Sequence, residues 1–283
     1  MSTARIAPPR SLLFVPASRP DMVAKVTRWR PDVVVVDLED AVAAAEKESA
    51  RAGGIEAAEA VATGPSGLTV LVRVNPRGSR WFEDDLAAVA GSGVQGVVLP
   101  KYESVDDALA VREALPGTSV LLAGLETARG VAQCRELLGA AADVDAAYFG
   151  AEDYIVDVGG SRTAAGAEVL HARSEVLLAA RLGGVAPVDQ AVMEVNDDDR
   201  FVVDAEAGRS IGYTGKICVH PRQVALAHQV FAPSPADVEH ARAVLVMAQE
   251  KGVGLVDGRM TDEVHVRWAR QVLARVQDES GGS

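Results

Sequence analysis

The chain has 283 residues, 48% apolar and 24% charged, and 28 basic against 40 acidic side chains leave a formal net charge of −12. That size fits one large domain, two smaller ones, or an α/β barrel of about 250 residues with an appendage, and its core needs no disulfide staples. The acidic balance excludes nucleic acid as the main partner, because phosphate recognition needs a basic face; anionic small molecules stay open, since a local Arg or Lys can outweigh net charge.

Apolar runs, mostly β-branched and continuous, alternate with Ala/Glu/Arg-rich stretches of helical spacing. In chain order the reading is strand 12–15, helix 21–29, strand 33–38, helix 46–62, strand 69–74, helix 84–90, strand 96–99 and helix 105–115. It continues with strand 119–125, helix 130–138, strand 144–149, helix 168–182, strand 187–192, helix 198–211, strand 216–219 and helix 222–231. Continuous apolar strands are buried on both faces, as in a parallel sheet. Eight alternations predict a closed (β/α)8 TIM barrel, with a doubly wound sheet as the main competitor. No G-x-G-x-x-G follows the first strand, which weakens a dinucleotide-binding version.

The character changes at Pro233-Ser234-Pro235, where Ser234 can cap a helix with Pro235 at its first position. A helix at 236–251, a loop from Gly252 to Gly258 and a last helix over about 262–276 follow. The expected division is a catalytic barrel, residues 1–232, and a C-terminal helical lid or arm, residues 233–283, docking on a neighbouring subunit. Residues 279–283 read as a disordered tail. Cys134 and Cys218 form no C-x-x-C pair, which suits a reducing cytoplasm. Asp37 breaks the run at 33–36 far short of the ~18 apolar residues of a membrane helix, and the first ten residues lack an apolar signal core.

In a barrel, strand C-termini face the active site. Glu39 and Asp40 follow the second strand, Arg73 and Asn75 end the third, and Lys101 follows the fourth. Glu126 follows the fifth, Glu152 and Asp153 the sixth, Asp189 lies within the seventh and His220 ends the eighth. Singly, each reads as a cap or a rim charge; together they predict convergence on one mouth. Glu126 and Asp153 are hard oxygen donors from adjacent strands with no His or Cys pattern nearby. That set suits Mg2+, whose remaining positions go to water and substrate oxygens; structural salt bridges are the competing reading. Arg73 can fork onto a substrate carboxylate or carbonyl, or pair with Glu39 or Asp40.

The motifs carrying these residues resemble a family. Arg10-Ser11-Leu12-Leu13-Phe14-Val15-Pro16 is similar to the first strand of the citrate lyase β-subunit-like proteins of the HpcH/HpaI aldolase superfamily, which includes malyl-CoA and citramalyl-CoA lyases. The match continues through Asp37-Leu38-Glu39-Asp40-Ala41-Val42, Val72-Arg73-Val74-Asn75, Leu99-Pro100-Lys101 and Leu125-Glu126-Thr127-Ala128-Arg129-Gly130. Gly150-Ala151-Glu152-Asp153-Tyr154, Gly215-Lys216-Ile217-Cys218-Val219-His220-Pro221 and Asp257-Gly258-Arg259-Met260-Thr261-Asp262 complete it, in order along the whole chain.

The resemblance implies a barrel enzyme, a carbon–carbon lyase that cleaves or forms a bond in a 3-hydroxyacyl-CoA thioester through a thioester enolate. The substrate would be of citramalyl-, malyl- or 3-hydroxy-3-methylglutaryl-CoA type, with a 2-oxo acid as partner. It implies Mg2+ on Glu126 and Asp153, Arg73 on the substrate and the developing enolate oxygen, and Glu39 and Asp40 around the metal's waters. Asp262 matches the lid acid–base that reaches a neighbouring subunit's site, within a homo-oligomer that is a trimer in the family. Two alternatives stand beside this reading: the β subunit of a citrate lyase complex acting on citryl-acyl-carrier protein, and a non-catalytic ligand-binding barrel. Retention of Arg73, Glu126, Asp153 and Asp262 argues against the last. The chain departs from the pattern at Ala17, at Val219 and at Val264, where a Pro commonly follows the lid acid and supplies a helix-start signal. Gly159-Gly160-Ser161-Arg162 reads equally as a CoA-phosphate cradle or a turn, and the histidines read as structural or surface residues.

Overall fold

In a computed structural model of the chain, residues 6–139, 143–251 and 254–280 are described. The chain divides into two compact units, Met1–His228 and Gln229–Ser283.

The first unit is a closed barrel of eight parallel strands among the described residues, in the order β1 to β8. The strands are β1 (Ser11–Pro16), β2 (Val33–Asp37), β3 (Thr69–Arg73), β4 (Gly96–Leu99), β5 (Val120–Leu125), β6 (Ala146–Phe149), β7 (Ala186–Asp189) and β8 (Gly215–Cys218). β1 closes the ring by pairing with β8, Leu12 opposite Ile217. The Val33–Val36 run explains itself: four β-branched side chains meet the interior on one face and the helices on the other, and all are buried. The interior holds Leu12, Val33, Val35, Leu71, Val98, Leu122, Tyr148, Val188 and Ile217. By the two-residue period of a strand, their sequence neighbours face the helical layer.

That layer comprises α1 (Pro20–Val23), α2 (Lys47–Ala62), α3 (Phe82–Ala90), α4 (Val105–Ala114), α5 (Ala128–Leu137), α6 (Ala151–Asp157), α7 (Leu170–Gly183), α8 (Asp198–Ile211) and α9 (Pro221–Phe231), whose last residues belong to the second unit. Local chemistry sets the starts: Ser104 and Asp107 form a capping box on α4, Thr127 caps α5 and Asp197 caps α8. Two ends need glycine, with Gly184 (φ 70°) after α7 and Gly212 (φ 119°) after α8 in the left-handed conformation. Two expectations are corrected. The helix read over 21–29 is broken into α1 and a 3-10 turn, Val26–Arg28. α6 was not anticipated, because its seven residues are too few to display a period.

The second unit contains α10 (Pro235–Lys251), a hairpin of β9 (Gly254–Val256) and β10 (Arg259–Thr261), and α11 (Glu263–Ser280). Ser234 caps α10, accepting from the Asp237 N–H at 3.0 Å. The loop expected before Gly258 is this hairpin, turned by Asp257 and Gly258, both at positive φ. Ala241, Val244, Met247, Val256, Val266 and Ala269 form its core. α11 runs past the expected stop to Ser280; of the anticipated tail, 281–283 lie outside the described residues. Among the described residues, no helix is long and apolar enough to cross a membrane.

Candidate active site

Register builds the first part of the site. Asp37 and Arg73 are the last residues of β2 and β3 and stand opposite each other. Val35 and Leu71, two positions earlier, point into the barrel, so Asp37 and Arg73 do too. Arg73 Nε and Nη2 donate to the two Asp37 oxygens at 2.7 and 2.6 Å, a bidentate fork. Arg73 Nη1 lies 2.9 Å from Glu39 Oε2, and the guanidinium sits 5.2 Å from the Phe14 ring. Asp37 also accepts from the N–H of Glu39 at 2.8 Å. Burial opposes the Arg73 charge, but Asp37 more than restores it, so its pKa stands well above the usual value and it stays cationic.

Glu126, just past β5, is 1% exposed. Glycines make room for it. A Cβ on Gly150 would fall 2.4 Å from Glu126 Cβ and Oε2, and one on Gly124 would fall 2.4 Å from the Tyr148 hydroxyl and 3.1 Å from Glu126 Oε1. Burial pushes the Glu126 carboxyl above its ordinary range, with Arg73 pulling the other way. Glu152 and Asp153 lie in the first turn of α6, where the helix dipole favours negative charge. Burial likewise pushes Glu39 up to about 7, against the pull of Arg73. Lys101, at φ 48°, donates its N–H to Glu126 Oε1 at 2.8 Å. Its ammonium contacts Glu39, lies 3.2 Å from Asp40 and 3.7 Å from Asp153. Lys47 fixes the loop after β2, donating at 2.7 Å to the carbonyls of Leu38 and Glu39 and to Asn75 Oδ1.

Asp37, Asp40, Arg73, Glu126, Glu152 and Asp153 border one cavity of about 390 Å³, which Phe14 and Tyr148 also line. Arg73, Glu126 and Asp153 are thus brought together, Glu39 buried behind Arg73 and Asp40 exposed at the rim. Asp37 and Tyr148 border the cavity although sequence reasoning had not singled them out. The signal for Asp37 was a lone carboxylate ending an all-valine strand.

Other expected mouth residues go elsewhere. Val188 faces the barrel interior, so Asp189 points into the helical layer, where it meets Arg173 and Lys216 in a buried network with Asp204. Asn75 is buried between Lys47 and Asp85. Glu152, by contrast, does line the cavity, held there by Arg162, which also binds Glu168. His220 is exposed and accepts from the Arg222 N–H at 3.2 Å, a local turn contact. In the second unit, Asp262 caps α11 through the Val264 N–H (3.0 Å) and contacts His265 Nδ1 at 2.8 Å. The His265 hydrogen bond holds its carboxyl below the usual range.

Among the described residues, no group of three or more His, Cys, Asp and Glu is arranged to hold a metal. A tetrahedral zinc set is therefore not formed by them. Two hard carboxylates, Glu126 and Asp153, beside an open cavity do fit Mg2+, which binds through one or two carboxylates and keeps several waters.

The comparisons with known proteins agree with this architecture. Residues 10–221 match the family model HpcH/HpaI aldolase/citrate lyase, and residues 167–278 match C-C bond lyase of the TIM-barrel fold. A citrate lyase subunit beta-like protein of Deinococcus radiodurans is 47% identical over 281 residues, covering 95% of this chain and 98% of the relative. The citrate lyase subunit beta of Haemophilus influenzae is 34% identical, over 95% and 97%. Among solved structures, protein CitE from Mycobacterium tuberculosis, in complex with magnesium, acetoacetate and coenzyme A, superposes with a TM-score of 0.84 at 32% identity, covering 96% of this chain and 98% of that one.

Proposed function

Because the chain belongs to the HpcH/HpaI aldolase/citrate lyase family, whose citrate lyase β members are carbon–carbon lyases, we propose that it is a Mg2+-dependent lyase acting on a 3-hydroxyacyl-CoA thioester. The substrates would be of citramalyl-, malyl- or 3-hydroxy-3-methylglutaryl-CoA type. The observation that carries the reading is that one cation, Arg73, and two carboxylates, Glu126 and Asp153, share the cavity at the strand C-termini. The CoA and magnesium of the CitE neighbour support the thioester and the metal, and a CitE structure with magnesium and pyruvate supports the 2-oxo acid partner.

Breaking the bond between the α-carbon and the carbinol carbon leaves a thioester enolate, which needs positive charge at its oxygen. Bound magnesium, on Glu126 and Asp153, would supply part of that charge and orient the 2-oxo acid. Arg73 supplies the rest. Its five N–H groups exceed its contacts to Asp37 and Glu39, so it can hold a substrate oxygen without leaving its fork. Asp37 and Glu39 fix its orientation in advance, which lowers the reorganisation needed as charge develops. Glu39 and Asp40 share the Lys101 ammonium with Asp153, so they would border the waters of a metal held there. The enolate carbon then takes a proton, or acetyl-CoA gives one up in the condensation direction. We assign this to Asp262, contributed by a neighbouring copy in a homotrimer. Its lowered pKa favours the ionised form, which takes the acetyl-CoA proton in condensation; in cleavage the carboxylate takes the carbinol hydroxyl proton as the carbonyl forms and then returns it to the enolate carbon.

The likeness to the Haemophilus influenzae subunit supports a second reading, an acyl-carrier-protein thioester in a citrate lyase complex. One screen tests both: a panel of CoA and acyl-carrier-protein thioesters with Mg2+, followed by keto-acid release. Keto acid should appear, and Glu126→Gln and Asp153→Asn should abolish the Mg2+-dependent rate. Arg73→Ala mixed with Asp262→Ala should regain activity through mixed oligomers. Metal-independent turnover, or thiol release without keto acid, would overturn the reading.

A further inference from the structure

Lys101 reaches both of the carboxylates assigned to the metal, one from each end of the residue. Its main-chain N–H holds Glu126 Oε1 at 2.8 Å, and its ammonium reaches Asp153 at 3.7 Å. The left-handed backbone, φ 48°, is what permits this: it turns the N–H toward β5 while the side chain crosses to Glu39 and Asp40. Side chains with a Cβ rarely adopt that conformation, so a non-glycine residue there points to a side chain that is needed.

Charge explains the need. Asp37, Glu39, Asp40, Glu126, Glu152 and Asp153 bring six carboxyl groups to this end of the barrel. Arg73 is ion-paired with Asp37 and Glu39 and also attracts Glu126, while Arg162 pairs with Glu152. Asp40 and Asp153 are reached by Lys101, whose side chain is 30% exposed and so has room to swing. A lysine ammonium is protonated at neutral pH, so this counter-charge is present.

We propose that Lys101 is a tethered counter-ion, a positioning residue that occupies the carboxylate cluster when no divalent cation is bound and must withdraw from Asp153 when one arrives. The inference rests on the assignment of Glu126 and Asp153 as the Mg2+ carboxylates. Metal binding is then an exchange of one cation for another, and its affinity is set below what the carboxylates alone would give. The backbone N–H to Glu126 persists in any variant, so the ammonium can be tested by itself.

Calorimetric titration of Mg2+ into the metal-free protein is the test, with thermal melting alongside. Lys101→Met should bind Mg2+ tighter, by about tenfold or more, because a competing charge is gone. The metal-free variant should melt below the wild type, and saturating Mg2+ should close most of that gap by linkage. Lys101→Arg, which keeps the charge, should bind Mg2+ close to wild type. If the wild type binds Mg2+ and Lys101→Met binds no tighter, the counter-ion role is wrong. If Lys101→Met melts lower by the same amount with and without Mg2+, Lys101 is only a structural brace. If neither protein binds Mg2+, the metal assignment falls and takes this inference with it.

Discussion

Asp37→Ala removes a carboxylate that is 3% exposed and meets the 11%-exposed Arg73 through contacts of 2.7 and 2.6 Å. Each charge-assisted hydrogen bond contributes about 1.5–3 kcal/mol, and stripping one partner from a buried pair costs about 3–5 kcal/mol. Glu39, 2.9 Å from Nη1, remains to hold the stranded cation. The expected loss is therefore about 3 kcal/mol, the low end of that range. Arg73→Met strands the carboxylate instead, which keeps the N–H groups of Glu39 and Ala41, so about 2–3 kcal/mol is expected. The double variant leaves neither charge stranded and should cost less than the sum of the two by about 1.5 kcal/mol or more. Urea unfolding of the four proteins closes the cycle. If the two losses add to within about 0.5 kcal/mol, the fork does not couple these residues and the account of Arg73 as pre-oriented by Asp37 is wrong.

Gly150→Ala would place a methyl group 2.4 Å from Glu126 Cβ and Oε2. It should cost about 1–3 kcal/mol in chemical denaturation and weaken Mg2+ binding by calorimetry, because Glu126 is displaced; unchanged Mg2+ affinity would argue against Glu126 as a ligand. At the opposite end of the barrel, Asp32 accepts from Arg10 N and Nε at 2.7 and 3.0 Å and lies 3.2 Å from His228 Nε2. Burial alone would raise its pKa, but His228 and Arg10 hold it well below the carboxylate range. With the folded value depressed, the unfolded chain takes up the proton first as pH falls. Asp32 thus stabilises the fold above about pH 4 and loses that contribution as pH drops toward the folded value. Asp32→Asn should be less stable at pH 7 and show a shallower decline between pH 6 and pH 3 in urea midpoints; parallel declines would refute the pairing.

Much of the barrel was legible in the chain. The eight apolar runs overlap the eight strands, the run at 187–192 extending three residues past β7, and the motif residues at their ends do gather around a cavity in the cases of Asp40, Arg73, Glu126, Glu152 and Asp153. What failed did so for identifiable reasons. A strand buried on both faces carries no hydrophobic alternation, so nothing in Pro187-Val188-Asp189 says which neighbour points inward. Asp189 was accordingly read as a mouth residue, whereas Val188 takes the interior and Asp189 the helical layer. The β9–β10 hairpin escaped notice because two three-residue strands are shorter than any pattern that separates strand from loop.

By itself the sequence determined the order of strands and helices, the family, and which residue types stand at the strand ends, since these depend on local periodicity and on motifs contiguous in the chain. Only the tertiary structure decided their partners. Asp37 forks onto Arg73 because β2 and β3 pair in a register that sets them level, 36 residues apart. Glu126 is buried because Gly124 and Gly150, from β5 and the turn into α6, leave no Cβ in its way. Lys101 spans two carboxylates because its backbone adopts a left-handed turn. Register, close approach and backbone hand arise between segments brought together by folding, and no stretch of chain read alone carries them.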